Sequence, residues 1–261
     1  MGSESQSVNT ITFLGTAGAR FMVTKQLSAS GGLWLNLDGT QILVDPGPGS
    51  VVQYAKRKLD AEKLNAIILS HRHLDHSGDV NIMIEAMTQG GFKKHGWLFA
   101  PADALEGEPV VFSYLKGYLG GIEILRAGKA YSIGNVSFTT PVRHVHPVET
   151  YGMVFKAAGH TFSYIADSRY FDSLDHSYAS ELLIINVVLM EALPHVDHLS
   201  VTDAERIISE LKPKVAILTH FGTGVWRAKP WEIAQNLSQQ TGINVIAAWD
   251  GMSFDLSQLD G

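Results

Sequence analysis

Cysteine is absent from the 261 residues. That excludes disulfides, thiolate metal sites and a cysteine nucleophile together. Long apolar runs are missing too: none reaches the about eighteen residues that a membrane helix needs. The longest, Leu182 to Met190, carries Asn186 and reads as a buried strand. Charge is sparse, with 20 Lys+Arg against 26 Asp+Glu and a net charge of −6. Such a balance argues against a general polyanion binder. There is no fixed-period repeat and no Pro/Gly/Ser linker, so 9–261 reads as a single domain behind a polar tail, 1–8. The tail lacks a basic-then-apolar signal pattern, and the expectation is a cytoplasmic protein with no membrane partner. Hydrophobic residues, at 45%, are ordinary for a globular chain. Histidine is what the chain has in quantity, with eleven.

Periodicity and turn residues place the elements. Ile11 to Leu14 reads as a strand, followed by Gly15-Thr-Ala-Gly18. Alternating residues on both sides of Asp38-Gly39 read as a hairpin of Leu33–Leu37 and Gln41–Asp45. A helix is expected over 50–59, a buried strand over 65–69 and a helix over 78–88. The stretch 97–151 reads as strand-rich, with 110–118 less regular. Strands follow at 161–165 and 182–188. Thr202-x-x-Glu205 reads as a capping box opening a helix that Pro213 ends. Strand 214–219, helix 230–241 and strands 244–249 and 252–256 close the chain. The mixture suggests a layered α/β or α+β domain.

The strongest chemical signal is Ser70-His71-Arg72-His73-Leu74-Asp75-His76, between a buried strand and a helix. Alternate side chains of extended backbone share a side. His71, His73 and Asp75 can therefore converge, with His76 turning in as the helix begins. Imidazole and carboxylate suit zinc and other first-row metals. Further donors are expected at strand ends: His146, or its neighbour His144, in His144-Val-His146; Asp167 after Phe162–Ala166; and His220 after Val215–Thr219.

With its later His, Asp and His in this order, the His71-x-His73-x-Asp75-His76 pattern resembles the metallo-β-lactamase superfamily. The branch with ribonuclease Z and small phosphodiesterases is the one echoed by His146-Pro-Val-Glu-Thr-Tyr-Gly152, Ala166-Asp167-Ser-Arg169, His198-Leu-Ser200 and Leu218-Thr-His220-Phe. The resemblance implies a four-layered αββα sandwich. It implies two divalent metal ions, zinc first and manganese or iron as alternatives. One would be held by His71, His73, His146 and Asp167, the other by Asp75, His76, Asp167 and His220. His146 is preferred to His144 because the residues after it keep the family's spacing. Asp45 matches a buried supporting carboxylate. Asp75 and His198 would be catalytic, Asp75 orienting a metal-activated hydroxide and His198 giving a proton to the leaving oxygen.

Two departures bear on the substrate. Where the ribonuclease Z branch has a Glu that orients this His, the chain has Asn186; Glu191 lies nearby as a substitute. Only twenty residues separate His146 from Asp167, which leaves no space for a tRNA-clamping arm. The basic groups Lys56-Arg57-Lys58, Lys93-Lys94 and Arg227-Ala-Lys229 read as solvated faces. Arg72 and Arg169 are candidates for a phosphate contact. The expectation is a hydrolase of a small or short single-stranded phosphodiester, without bulk nucleic-acid binding and with a homodimer left open. The alternatives are a thioester or lactone hydrolase on the same metals, and a metal-binding regulatory or structural protein.

Overall fold

Apolar runs with no polar side require cover on both faces of a sheet. In the computed structural model, which describes residues 8–260, they receive it. Strands β1 (Thr10–Phe13), β2 (Leu33–Leu37), β3 (Thr40–Val44), β4 (Leu64–Ile68), β5 (Trp97–Ala100) and β6 (Gly121–Ile124) form one sheet. Strands β7 (Lys129–Ile133), β8 (Val136–Thr140), β9 (Met153–Ala157), β10 (His160–Ile165), β11 (Leu182–Asn186), β12 (Val215–Thr219) and β13 (Asn244–Ala247) form the other. The last strand, β14 (Ser253–Asp255), returns to pair with β1. The orders are β14-β1-β2-β3-β4-β5-β6 and β13-β12-β11-β10-β9-β8-β7. The first half of the chain adds α1 (Ala19–Lys25), α2 (Ser50–Lys56), α3 (Leu74–Ser77) and α4 (Val80–Thr88). The second adds α5 (Leu174–Ser177), α6 (Val201–Leu211), α7 (Thr223–Arg227) and α8 (Pro230–Thr241).

Side-chain parity sorts the apolar residues into three layers. Ile42, Val44, Ala66 and Ile68 point between the sheets, against Phe138, Phe155, Phe162 and Ile184. Leu43 and Ile67, one residue out of phase, meet Val80, Met83, Ile84 and Met87 of α4. Leu183, Ile185, Ala216 and Leu218 pack under Ala204, Ile207 and Ile208 of α6 and Leu237 of α8. Helix, sheet, sheet and helix make the four-layered αββα sandwich. The β2–β3 hairpin turns on Asp38 and Gly39 with φ of 48° and 76°, the left-handed pair that a two-residue hairpin needs.

Several boundaries differ from the sequence reading. The first α2 expectation, 50–59, shortens to Lys56, and Lys58 is already left-handed at φ 55°. The 78–88 helix begins at Val80, because residues 74–77 form a separate turn, α3. The 182–188 strand stops at Asn186, where pairing with β12 ends. The strands expected at 244–249 and 252–256 shorten to Asn244–Ala247 and Ser253–Asp255. The capping box is not Thr202/Glu205. Ser200 is the cap: its Oγ accepts from Asp203 N, and Ser200 N donates to the Asp203 carboxylate. Of the expected tail, residues 1–7 lie outside the described residues, while the Val8 carbonyl accepts a bond from Asn36.

Strands β3 to β6 run parallel, as do β10 to β13. Ligands of open α/β sheets gather at the carboxyl ends of such strands. Here the segments leaving β3, β4, β10 and β12 carry Asp45, the 70–76 motif, Asp167 and His220.

Candidate metal centre

Two groups of donor atoms converge at this edge. One comprises His71, His73 and His146; the other comprises Asp75, His76, Asp167 and His220. Within each group the donor atoms lie within 4.8 Å of one another. His73 Nδ1 and His146 Nε2 are 3.0 Å apart, and the Nε2 atoms of His76 and His220 are 3.2 Å apart. Asp167 stands between the groups. Its Oδ2 is 3.9 Å from His71 Nε2 and 3.4 Å from His76 Nε2, and its Oδ1 is 3.5 Å from His220 Nε2. Asp75 Oδ2 lies 3.6 Å from His220 Nε2.

Local structure explains the aim of each side chain. The motif does not stay extended: His73 caps α3, and Asp75 and His76 are inside that turn. Asp75 therefore leaves the side shared by His71 and His73 and joins the second group. His220 follows β12 with φ 56°, a left-handed conformation that persists only where the surroundings enforce it. Gly18 is part of that enforcement. A Cβ there would lie 2.0 Å from the His220 carbonyl oxygen and 2.8 Å from its ring.

A second set of bonds fixes the tautomers. His76 Nδ1–H donates to Asp45 Oδ2 at 2.9 Å. His71 Nδ1–H donates to Ser70 Oγ at 3.0 Å, and that hydroxyl donates to Asp45 Oδ2 at 2.7 Å. His146 Nδ1–H donates to the Asp197 carbonyl at 2.8 Å. Each ring thus turns an Nε2 lone pair inward, as metal-binding imidazoles require. His71 Nε2 is buried with no hydrogen-bond partner. Such an orphan acceptor is costly and fits a cation, as does the whole nitrogen–carboxylate set.

The charges agree. Burial works against ionised Asp167, yet His220, His76 and His198 hold its carboxyl well below the ordinary range. Burial likewise opposes charge on His76, but Asp167, Asp45 and Asp75 outweigh it and raise its pKa. Burial lowers His73 to about 4. Positive charge is thus demanded among buried carboxylates, while burial holds His71 and His73 neutral and ligand-ready.

His144 and His146 separate cleanly. His144 is buried away from both groups: its Nδ1–H donates to the Asp167 carbonyl at 3.1 Å, and Tyr178 OH donates to its Nε2 at 2.7 Å. His198 Nδ1 lies 3.4 Å from Asp167 Oδ2, and burial lowers its pKa. Neither expected orienting residue serves it. Asn186 Nδ2 donates instead to Asp167 Oδ1 at 2.9 Å and to Tyr164 OH at 3.2 Å, and Glu191 makes no hydrogen bond among the described residues. Arg72 pairs with Glu108 at 3.2 Å and Arg169 with Asp197 at 3.6 Å, so both expected phosphate contacts already face a carboxylate. Sequence reasoning missed Ser70, Tyr164 and Gly18. Tyr164 donates to Asp45 Oδ2 at 2.9 Å across the two sheets. Its even spacing from Phe162 could have placed it inward, but not on Asp45.

Residues 40–221 match the pattern of a beta-lactamase superfamily domain. The chain is 31% identical over 255 residues to the uncharacterized protein MJ1374 of Methanocaldococcus jannaschii, covering 94% of each. It is 30% identical over 184 residues to the probable metallo-hydrolase YhfI of Bacillus subtilis, covering 69% of this chain and 74% of that one. A 96-residue stretch is 34% identical to ribonuclease Z of Kineococcus radiotolerans, 37% of this chain and 30% of that one. Among solved structures, YhfI superposes with a TM-score of 0.79 at 24% identity, over 95% of this chain and 100% of that one. A diphosphatase of the PhnP family gives 0.71 at 19% identity, over 95% and 97%.

Proposed function

The chain belongs to the beta-lactamase superfamily and is a metal-dependent hydrolase, and from that premise we propose that it holds two divalent cations and hydrolyses a small or single-stranded phosphodiester. The observation that carries this reading is Asp167, buried between two donor groups with one carboxylate oxygen toward His71 and His76 and the other toward His220. His71, His73 and His146 would hold one cation, Asp75, His76 and His220 the other, and Asp167 would touch both. Zinc suits this donor set, as do manganese and iron. Bound there, the cations supply Lewis acidity and a water of lowered pKa. Asp75, the most open of the carboxylates, orients the attacking water. His198 stands beside Asp167 at the edge of the cleft and gives a proton to the departing oxygen.

Support for phosphorus over a carbonyl comes from the relatives named ribonuclease Z and the diphosphatase of the PhnP family. A structured RNA is disfavoured. Most of the chain between His146 and Asp167 is taken up by the β9–β10 pair, joined through Ala158-Gly159, which leaves no arm to clamp one.

The test is metal content and turnover together. Elemental analysis of Asp167→Ala should find both cations lost, and bis(p-nitrophenyl) phosphate should be cleaved by loaded wild-type protein and not by that variant. Retention of both metals by Asp167→Ala would overturn the bridging role. Turnover of lactones or thioesters without any phosphodiester cleavage would overturn the substrate.

A further inference from the structure

A groove of about 620 Å³ opens beside the centre. Helix α1 forms one wall and the loop leaving β11 the other, with Gly222–Gly224 as floor. His198 and Gly18 belong to its lining, and His198 lies 3.4 Å from Asp167 while Gly18 abuts His220, so the groove adjoins the centre. Its side chains are mainly apolar: Phe21, Met22, Val188, Met190, Leu193 and Val196. Three of these stay open to solvent, Phe21 at 63%, Leu193 at 54% and Met190 at 40%. Leu74, between the ligand candidates His73 and Asp75, is 74% exposed. Apolar side chains gathered around a polar cleft mark a binding surface, and the volume is that of a small-molecule site.

Charge is scarce in this groove. Arg20 and Glu191, one of each sign, are the charged residues among its lining apart from His198. The two arginines of the metal motifs are paired with Glu108 and Asp197. A second phosphate next to the scissile one would meet a single arginine offset by a carboxylate of the same lining, whereas a flat apolar group would find cover on several sides.

Resting on the phosphodiesterase reading above, we infer that the groove receives the leaving group, and that the preferred substrate is a single phosphodiester whose departing alcohol is uncharged and largely apolar, of roughly bicyclic aromatic size. Water adds to phosphorus, the P–O bond to that alcohol breaks, and the alcohol leaves with a proton from His198. The water's surplus proton restores His198 through solvent, and a phosphomonoester remains.

Calorimetry on the metal-loaded full chain tests this with two phosphonates. Naphthylmethylphosphonate should bind tighter than methylphosphonate by on the order of 30-fold. Met190→Asp and Leu193→Asp, at exposed positions, should each cut that ratio to about threefold or less. Metal content, the methylphosphonate constant and the unfolding midpoint should hold. With bis(p-nitrophenyl) phosphate both variants should raise KM and leave kcat near wild type. Equal binding of the two phosphonates, in a protein that cleaves this ester, would overturn the groove assignment alone. Wild-type protein that neither binds methylphosphonate nor cleaves the ester would overturn the phosphodiesterase reading and this inference with it.

Discussion

One residue separates His144 from His146, and their environments assign them opposite work. His146 offers Nε2 to the His71 and His73 group, while its Nδ1–H is tied to the Asp197 carbonyl. His144 fills a buried slot against Tyr178 and the backbone of Asp167. Truncating His144 strips the Tyr178 hydroxyl of its acceptor and opens a cavity. His144→Ala should therefore lose about 2–4 kcal/mol in urea unfolding of the metal-free protein, with both cations still bound on reloading. His146→Ala should behave in reverse, with little change in metal-free stability and one cation lost by elemental analysis. Equal metal loss in the two variants would contradict the division.

At the scale of elements, the cap of α6 lies two residues before the Thr202-x-x-Glu205 pattern that the sequence offers. The incoming chain decides its place. Val201 N donates to the Leu189 carbonyl, which ties the loop beside His198 to residue 201 and puts the cap at Ser200. Ser200→Ala should cost about 1 kcal/mol, and Thr202→Ala much less, in paired thermal melts. A different joint clamps the start of the parallel strands. The Glu181 carboxylate accepts from Thr161 N and pairs with Lys214 and His160. The Thr161 N–H first, then Lys214, hold its pKa below the ordinary value. Since the unfolded chain then binds more protons, the stabilisation is present above the unfolded carboxyl pKa and is lost as pH falls through the folded one. Glu181→Gln should lower the melting midpoint by about 1–2 °C at pH 7, with the difference shrinking as pH falls below the ordinary carboxyl range.

Across the whole molecule, the centre joins the two sheets. His71, His73, Asp75 and His76 follow β4 of one sheet; His146 precedes β9, and Asp167 and His220 follow β10 and β12, all of the other. The Tyr164 to Asp45 bond crosses the same gap. Cations bound only by the folded arrangement stabilise it by mass action. Chelation of the loaded protein should therefore lower the melting midpoint by about 5–10 °C, with reversal on adding metal back. A midpoint indifferent to chelator would mean that the donors do not hold metal across the sheets.

The sequence by itself determined the type of donor and a layered mixture of strands and helices. Imidazoles and carboxylates at strand ends are metal donors where they meet, and the four-layered sandwich followed from the family resemblance those residues carry. The sequence also excluded thiolate ligands, because no cysteine exists to provide them. Only the tertiary structure decided that these donor atoms meet in two groups with Asp167 between them, that His144 turns away to Tyr178, and that Tyr164 reaches Asp45 across the sheets. Those outcomes depend on contacts between residues distant in the chain, from 34 positions for His144 with Tyr178 to 144 for His76 with His220, and local propensity carries no information about distances of that kind.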